Sequence, residues 1–375
     1  MHKRTLLLTL DFPPRRGGVA RYLFELVRQL AAHQNEGGEI RVVAQREQGA
    51  EDADRLATFP LQRRRLLASW LWPHWLPALF LLLLQRNSYD QILVSHVLPL
   101  GVAAWMSQKI TGKPYLIILH GMDFALARRN PWKRKLTKRV LESAALVVTN
   151  TENLEREVRG FAKTRATQVV YPCLGTEIQD ASRVPRPEQT TQGPLSLLTV
   201  ARLVPRKGHI AVLDALALLR DRGRLPHLHY HIVGDGPMYE PLARHCKELK
   251  LNTLVTFHRN VTDRELLDFY RDASLFVMPT EHLGRDIEGF GIVYIEAGAF
   301  ALPVIASDLP GVTEAVIDGE TGILVPAGSV PDLADAIEIL ARNPERCREL
   351  GEKGRERAWN LFNPERQWSV LESYL

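Results

Sequence analysis

The sequence predicts an α/β protein of two doubly wound domains, each a parallel sheet covered by helices, facing each other across a cleft. Its 375 residues are too many for one ordinary hydrophobic core and suit two domains. Short, nearly continuous apolar segments alternate with amphipathic helical patterns, as in parallel sheets that are buried on both faces. This alternation stops once, over residues 178–194, and then starts again.

The first predicted domain covers residues 1–180. It begins with a buried strand, which a loop connects to an amphipathic helix from about Ala20 to His33. Its strands are predicted at residues 5–10, 40–44, 92–95, 115–119, 146–149 and 168–171. From residue 178 the composition shifts to Pro, Gln, Thr and charged residues without periodicity, and we therefore predict a linker at residues 181–194.

The second predicted domain covers residues 195–358. Its strands are expected at residues 195–200, 229–233, 255–258, 275–279, 303–307 and 323–325, with helices between most of them. Residues 331–375 have a helical pattern that Pro344 and Pro364 interrupt. In both domains ligands should bind at the carboxyl ends of the strands.

Charge is distributed unevenly along the chain. The net charge is +5, but residues 1–190 hold 28 Lys and Arg against 17 Asp and Glu, whereas the remainder holds 20 against 26. The two halves could serve different partners, or surface charge could simply drift between domains. Three cysteines, odd in number and far apart, argue against a disulfide framework or a metal cluster. With no signal peptide recognised, we expect a cytoplasmic protein.

Residues 66–84 form an apolar stretch with Trp70, Trp72 and Trp75 and no charged residue, flanked by arginines. Its length approaches that of a membrane span, but Pro73 and Pro77 divide it. Two interpretations remain open. The stretch is either a packing helix over residues 76–84 with a Trp-rich lead-in, or an interfacial segment that touches a membrane surface.

Several loops at predicted strand ends are suited to binding phosphate. Gly17 and Gly18 follow the first strand and open a helix, so the backbone can approach an anion there. Gly234 and Asp235 follow a strand of the second domain. Neither loop carries the dinucleotide fingerprint, and the chain has no phosphate loop of the nucleoside triphosphatase type. The missing fingerprint argues against a dehydrogenase of Rossmann type.

Charged and polar residues lie at further strand ends. His120 ends the strand at residues 115–119, which places it at the predicted ligand rim. Arg202 and Lys207 bracket the loop after the first strand of the second domain, where two cations could neutralise a departing diphosphate. Read alone, each of these residues is equally compatible with an ordinary structural or solvated position.

The segment from Glu288 to Glu296 is the most specific feature. The glycines on either side of Phe290 begin a helix. At this helix start the backbone amides of Phe290, Gly291 and Ile292 can bind phosphate. Glu288 precedes the helix, and Glu296 lies about two turns further on, where a carboxylate could accept two neighbouring ribose hydroxyls.

Taken in order, these pieces resemble the retaining, two-domain GT-B glycosyltransferases of family 4, whose domains are Rossmann-like. The resemblance covers essentially the whole chain. It rests on Gly17-Gly18, the His120-Gly121-Met122-Asp123 motif, the segment from Val200 to Gly208, Gly234-Asp235-Gly236-Pro237, and Glu288 to Glu296. Residues 359–375 resemble the family's last helix, which crosses back onto the first domain.

The resemblance implies a role for each matching residue. Gly17 and Gly18 would lie at the donor's phosphate, and His120 would contact the transferred sugar. Arg202 and Lys207 would bind the diphosphate. The segment at Gly234 and Asp235 and the amides at residues 290–292 would help to bind the donor, while Glu288 would hydrogen-bond the sugar and Glu296 the ribose. Asp123 would support the site.

The family implies catalysis without a metal or another cofactor, with retention of anomeric configuration. One departure concerns the base: Arg259-Asn260 stands where the family usually has a glycine. We expect a hexose donor, GDP-mannose before UDP-glucose or UDP-GlcNAc, and a lipid-linked or glycan acceptor. The basic residues 128–139 favour an anionic membrane surface at the inner face of the plasma membrane. No nucleic-acid partner is expected.

Two alternatives remain for the function. One is a nucleotide-sugar epimerase or hydrolase of the same fold, which would act on the donor without an acceptor. The other is a non-catalytic nucleotide-sugar-binding protein, which would be expected to have lost His120, Lys207 or Glu288.

Overall fold

The computed structural model describes residues 3–15, 17–32, 39–184, 194–284 and 288–375. It consists of two compact units. The first unit runs to Cys173 and also contains Pro364–Leu375, and the second comprises Leu174–Asn363.

The first unit is built on a parallel sheet. Its strands are β1 (Arg4–Thr9), β2 (Glu39–Gln45), β3 (Leu61–Arg64), β4 (Gln91–Ser95), β5 (Tyr115–Leu119), β6 (Leu146–Thr149) and β7 (Thr167–Val169). They are ordered β3-β2-β1-β4-β5-β6-β7, and every pair is parallel. The helices are α1 (Gly18–Ala32), α2 (Glu51–Arg55), α3 (Leu76–Leu84), α4 (Leu100–Thr111), α5 (Met122–Ala127), α6 (Pro131–Ser143) and α7 (Glu152–Phe161).

The second unit begins with α8 (Thr176–Arg183) and has a parallel sheet of its own. Its strands are β8 (Leu195–Val200), β9 (Leu228–Val233), β10 (Val255–His258), β11 (Leu275–Met278), β12 (Val304–Ser307) and β13 (Gly322–Val325). Their order is β10-β9-β8-β11-β12-β13. The further helices are α9 (His209–Asp221), α10 (Tyr239–Glu248), α11 (Asp263–Asp272), α12 (Ile292–Ala299), α13 (Val312–Ala315), α14 (Val330–Arg342) and α15 (Pro344–Leu361).

The sequence of β1 explains why helices cover both faces of the first sheet. Successive strand residues point to opposite faces. Leu6 and Leu8 join a buried cluster with residues of α3 and α4, whereas Leu7 joins a second cluster with residues of α1. Each fully buried leucine contributes about 1.5–3 kcal/mol to folding. An all-apolar strand therefore requires a helical layer on each side.

The last helix, α16 (Pro364–Glu372), belongs to the first unit. Trp368 is buried in the same cluster as the apolar face of α1, with its ring centroid 6.2 Å from that of Tyr22. The return of the chain to the first unit agrees with the expectation for the C-terminal segment. It begins at Pro364 rather than at residue 359, because α15 continues to Leu361.

The boundary between the units differs from the prediction. The second unit begins at Leu174, not after residue 180, and α8 occupies residues 181–183 of the predicted linker. Ile178 is fully buried, so this helix packs as part of the second unit. The sequence did not predict this helix, because its composition is polar and only one side of it is buried. Residues 185–193 of the predicted linker, like His33 at the predicted end of α1, lie outside the described residues.

Two strands also differ. The edge strand β3 was not predicted, because its sequence Leu-Gln-Arg-Arg lacks an apolar face. The strand predicted at residues 168–171 is β7, which ends at Val169. Tyr171 donates its backbone N–H to the side chain of Gln367 at 2.8 Å, and it therefore does not extend the sheet ladder.

The tryptophan-rich segment contains α3 with the bounds of the predicted packing helix. Ala78 and Leu82 are buried in the core. Other apolar side chains of the segment face solvent: Trp70 is 75% exposed, Trp72 is 77% exposed and Leu84 is 85% exposed. One side of the segment therefore packs, as in the packing-helix interpretation, and the other side is apolar surface. Contact of that surface with a membrane stays a prediction. No helix in the described part of the chain is long and apolar enough to cross a membrane.

Candidate functional site

The carboxylate of Glu288 lies between two cations in the second unit. Lys207 is the last residue of a 3₁₀ turn that follows β8, and its ammonium group donates a hydrogen bond of 2.5 Å to this carboxylate. Arg206 donates to the same oxygen. Both Glu288 and Lys207 are only 9% exposed. Lys207 and Glu288 were predicted as site residues, whereas Arg206 was not singled out.

The electrostatics of this cluster favour the ionised glutamate. Burial alone would raise the pKa of Glu288, but the charges of Lys207 and Arg206 outweigh it and lower the pKa of the carboxyl group. The cluster is therefore a buried anion held by two cations. Such a group can orient polar ligands without titrating near neutral pH.

Backbone hydrogen bonds join three strand-end loops of the second unit. The amide of Leu203 donates to the carbonyl of Asp235 at 2.9 Å, which connects the loop after β8 to the loop after β9. The amide of Glu281, after β11, donates to the carbonyl of Arg206 at 2.8 Å. Arg202 lies exposed in the first of these loops. The predicted residues Arg202, Lys207 and Asp235 thus share one edge of the second sheet.

Gly234 is required by this close packing. Its φ is +146°, and a Cβ at this position would collide with the backbone carbonyl of Ala201. Asp235, the next residue, accepts a hydrogen bond from the amide of Gly236 at 2.7 Å. It also forms an ion pair with Arg259 at 3.0 Å.

Arg259 and Asn260 follow β10, where the resemblance described above predicts a glycine. The guanidinium of Arg259 lies 4.3 Å from the ring centroid of Tyr239 while it pairs with Asp235. Asn260 has a φ of 54°, a left-handed conformation that asparagine tolerates better than most residues. The loop after β10 thus adopts a left-handed conformation at Asn260 without a glycine, and Arg259 places a cation in it.

The start of α12 matches the prediction. Gly291 precedes the helix with a φ of 82°, where a Cβ would collide with the Tyr294 ring. Ile292 is the first helical residue. Phe290 is buried, with its ring centroid 5.3 Å from that of Phe362. The first amides of a helix lack partners within the helix, so this terminus is suited to an anion.

Glu296 lies inside α12 and is 1% exposed. Its carboxylate accepts a hydrogen bond from the hydroxyl of Tyr270 at 2.8 Å. The ring of Tyr270 in turn stacks on Phe300, with the centroids 5.6 Å apart and an angle of 9° between the ring planes. Tyr270 was not predicted to take part, since nothing in the sequence connects it to Glu296.

In the first unit, His120 follows β5 as predicted. Its Nε2 lies 2.9 Å from the Oγ of Ser95, and its ring meets Tyr22 edge-on. Asp123 accepts the backbone N–H of His120 at 2.9 Å and that of Val97 at 3.3 Å. This agrees with a supporting position for Asp123, whose carboxylate holds the backbone around the histidine.

His120 is neutral at physiological pH. Burial lowers its pKa to about 4, and the charge of His96 acts in the same direction, while Asp123 and Asp11 oppose the shift. A neutral imidazole has one donor and one acceptor nitrogen, and its hydrogen bonds decide which is which.

Asp11, Ser95 and His96 also belong to this cluster but were not among the predicted site residues. The Nε2 of His96 lies 2.9 Å from the carboxylate of Asp11. His96 has a φ of 76°, which costs about 1–3 kcal/mol for a residue other than glycine. Asp11 and His96 follow the ends of β1 and β4, so the strand-end rule that predicted His120 could have found them.

Gly17 and Gly18 lie at the start of α1, as predicted. The helix begins at Gly18, and the carbonyl of Gly17 accepts the amide of Arg21 at 3.2 Å. Arg15 forms an ion pair with Asp11 at 2.5 Å just before this turn. Across the described residues, no group of three or more His, Cys, Asp or Glu side chains is arranged to hold a metal ion.

Comparison with known families agrees with this architecture. The model for "Glycosyltransferase Family 4" matches residues 16–177, and that for "Glycosyl transferases group 1" matches residues 182–357. A GDP-mannose-dependent alpha-(1-6)-phosphatidylinositol monomannoside mannosyltransferase from Mycolicibacterium smegmatis is 30% identical over 367 residues, which cover 96% of this chain and 94% of the relative.

Two solved structures share the fold. The Anabaena protein HepE in complex with UDP has a TM-score of 0.81 at 17% identity, covering 99% of both chains. Sucrose-phosphate synthase from Thermosynechococcus elongatus has a TM-score of 0.78 at 23% identity, covering 99% of this chain and 98% of that one. Together with the two parallel sheets and the full-length relative, these matches show that the chain is a GT-B glycosyltransferase and belongs to glycosyltransferase family 4.

Proposed function

We propose that this enzyme transfers a hexose from a nucleoside-diphosphate sugar to an acceptor hydroxyl, with retention of configuration and without a metal ion. GDP-mannose is the favoured donor, ahead of UDP-glucose and UDP-GlcNAc. The observation that carries the proposal is the Glu288 carboxylate held by Lys207 and Arg206 in the unit where α12 begins. The mannosyltransferase relative over nearly the full length supports the choice of donor.

In this proposal the second unit binds the donor. Arg202 and Lys207 neutralise the diphosphate as it leaves, a task for which positioned cations are well suited. The amides at Phe290, Gly291 and Ile292 lie beside the phosphate. The loop at Gly234 and Asp235 borders the donor, Glu288 hydrogen-bonds the sugar, and Glu296 holds the ribose.

The first unit is proposed to contribute His120 to the transferred sugar and the turn at Gly17 and Gly18 to the donor phosphate. Departure of the diphosphate is assisted by cations of the protein, and the leaving phosphate receives the proton of the attacking hydroxyl. This front-face course accounts for retention. It requires no side chain to act as a base near neutral pH, which agrees with the low pKa of His120.

The proposed acceptor is lipid-linked, or else a glycan precursor, met at an anionic membrane surface. Helix α6 carries Lys133, Arg134, Lys135, Lys138 and Arg139. Trp132, in its first turn, is 64% exposed. Tryptophan and cations are the residues that membrane interfaces favour. All three cysteines are free, which supports a reducing, cytoplasmic location. In this proposal the membrane surface is the inner face of the plasma membrane.

The experiment is a product assay with radiolabelled GDP-mannose, UDP-glucose or UDP-GlcNAc, each with and without phosphatidylinositol liposomes. We expect label from GDP-mannose to enter the lipid fraction. Free sugar released at the same rate without acceptor would instead indicate a hydrolase or epimerase. Glu288→Gln should lower turnover at least about 100-fold if the carboxylate contacts the reacting sugar. Glu265→Gln, at an exposed helix cap, is the matched control.

A fully active Glu288→Gln enzyme would remove the observation on which the proposal rests. Stabilisation by GDP-mannose without turnover, in wild type and in both variants, would indicate a non-catalytic binding protein.

A further inference from the structure

A chain of polar groups in the first unit ends at His120. The Oδ2 of Asp11 lies 2.9 Å from Nε2 of His96, and Nδ1 of His96 lies 3.0 Å from Oγ of Ser95. The same Ser95 oxygen lies 2.9 Å from Nε2 of His120. Four side chains from the ends of β1, β4 and β5 thus form one continuous series of hydrogen bonds.

The backbone holds this series in place. His96 adopts a conformation with φ at 76°, which is uncommon for residues other than glycine. Its neighbour Ser95 is fully buried at the end of β4. The amide of Val97, on the other side of His96, donates to Asp123 at 3.3 Å. An unfavourable backbone conformation that surrounding contacts maintain is typical of functional positions.

The direction of each hydrogen bond follows from the charge of His96. Burial disfavours the charged imidazolium, but the hydrogen bond to Asp11 and the charges of Asp123 and Asp11 outweigh it and raise the pKa of His96. While His96 is protonated, both of its nitrogens are donors. Nε2–H then donates to Asp11, and Nδ1–H donates to the oxygen of Ser95.

Ser95 must therefore direct its own proton elsewhere. Its hydroxyl has one hydrogen, and the remaining neighbour within hydrogen-bond distance is Nε2 of His120. The Ser95 O–H donates there, and Nε2 of His120 is an acceptor without a proton. In the neutral ring of His120 the single N–H is consequently at Nδ1.

We propose that Asp11, His96 and Ser95 are positioning residues that hold His120 in the Nδ1–H tautomer, so that the ring presents a hydrogen-bond donor to an oxygen of the transferred sugar. The role of the sugar rests on the proposed function, whereas the tautomer does not. Free histidine prefers the opposite tautomer, with the proton on Nε2, so the series has a measurable effect even without substrate.

The series also predicts a dependence on pH. The ionisable groups that face His96 are Asp11, Asp123 and His120, and Arg15 pairs with Asp11 from the outside. As pH rises through the raised pKa of His96, its Nδ1 loses the proton and can accept from Ser95. The Ser95 hydroxyl is then free to turn away from His120, and the tautomer is no longer imposed. Sugar transfer should therefore decline as pH rises through the raised pKa of His96.

The first test is NMR of the full-length protein with ¹⁵N-labelled histidine rings, with the His120 signals identified by their loss in His120→Asn. Below pH 6.5, the ordinary histidine value that the pKa of His96 exceeds, we expect wild-type His120 to be protonated at Nδ1 and not at Nε2. Ser95→Ala should shift the ring towards the Nε2–H form. A wild-type His120 with its proton on Nε2 would overturn the proposal, whatever the enzyme transfers.

A second set of variants guards against misfolding. His96→Asn removes the charge and suits the left-handed backbone. Ser95→Thr keeps the hydroxyl. We expect His96→Asn to behave as Ser95→Ala, and Ser95→Thr to restore the wild-type tautomer. An Asp–His pair of similar geometry, His245 with Asp214 at 2.6 Å in the second unit, provides the control. Asp214→Asn should leave His120 unchanged.

The activity readout separates positioning from a merely structural role. In Ser95→Ala we expect kcat/KM for the donor to fall about tenfold, since one oriented hydrogen bond is lost. The decline of the wild-type rate with rising pH should also be absent in this variant and present in Ser95→Thr. An unchanged pH profile in Ser95→Ala would contradict the role in transfer. If wild type transfers no sugar from any donor while the tautomer is as expected, the proposed function fails and the positioning of His120 stands.

Discussion

The carboxylate of Glu296 accepts a 2.8 Å hydrogen bond from the hydroxyl of Tyr270, and both side chains are almost completely removed from solvent. A buried carboxylate needs such partners, because its desolvation is costly when they are missing. Tyr270, a residue of α11, thus already fixes the Glu296 carboxylate that is proposed to bind the ribose. The nucleotide would therefore meet a carboxylate that is oriented before it binds.

Tyr270→Phe should consequently affect both stability and donor binding. The substitution removes a hydrogen bond to a buried acid, which corresponds to about 1.5–3 kcal/mol of the free energy of unfolding. If Glu296 holds the ribose, KM for the donor should rise more than kcat falls. Urea denaturation and initial rates measure the two effects. Tyr239→Phe, nearer the surface, is the control, and equal effects of both variants would argue against a special role for Tyr270.

Glu288→Gln should weaken the second unit as well as catalysis. The change leaves Lys207 and Arg206 without their shared counter-ion, at an expected loss of up to about 3 kcal/mol in the free energy of unfolding. Because the pKa of Glu288 is lowered in the folded protein, its stabilisation is complete above the ordinary value of 4.5 and is lost as pH falls through the folded pKa. Thermal unfolding at pH 7 should therefore differ between wild type and variant more than unfolding at the acid end.

The histidines on β9 and β10 should make stability depend on pH. Burial and the neighbouring His229 and His258 lower the pKa of His231 to about 4, against an ordinary value of 6.5. Between these values the unfolded chain binds a proton that the folded chain does not, so stability decreases as pH falls through this window. In His231→Gln the decrease between pH 6.5 and 4.5 should be smaller. The exposed His227 provides the control variant His227→Gln, which should retain the wild-type slope.

Gly234→Ala tests the packing of the strand-end loops. A Cβ there would collide with the carbonyl of Ala201, so we expect a loss of more than about 2 kcal/mol or failure to fold. Gly223 also has a positive φ, 64°, but has open space around its Cα. Gly223→Ala should lose only about 1 kcal/mol, the cost of the backbone conformation alone. Similar losses at the two positions would show that contact with Ala201 is unimportant.

The exposed tryptophans give a test of the proposed membrane surface. Replacing both Trp70 and Trp72 by Ser should weaken sedimentation with phosphatidylinositol liposomes at low salt, on the order of tenfold, while leaving the core intact. Ile339, also apolar and exposed but in the second unit, supplies the control Ile339→Ser. Wild-type binding by the tryptophan variant would contradict membrane contact through this segment.

The sequence by itself determined the class of fold and predicted most residues of the candidate site. Apolar strands such as β1 and β5 are buried on both faces, and that requirement is visible in their composition. His120 and Lys207 follow the carboxyl ends of strands, where parallel sheets place the residues that bind ligands. The helix start at Gly291 was visible because its glycine spacing is local.

Only the tertiary structure decided which of these residues act together. Arg206 reads as one more surface cation until its contact with Glu288, 82 positions away, is seen. Tyr270 and Glu296, or Asp11 and His96, meet because strands and helices distant in sequence pack side by side. The strand β3 and the helix α8 were missed for a different reason, because their polar composition hides the side that packs. Periodicity in the sequence indicates which face of a helix or strand is buried. Hydrogen bonds between two such elements depend on how the elements are aligned against each other, which no local sequence pattern encodes.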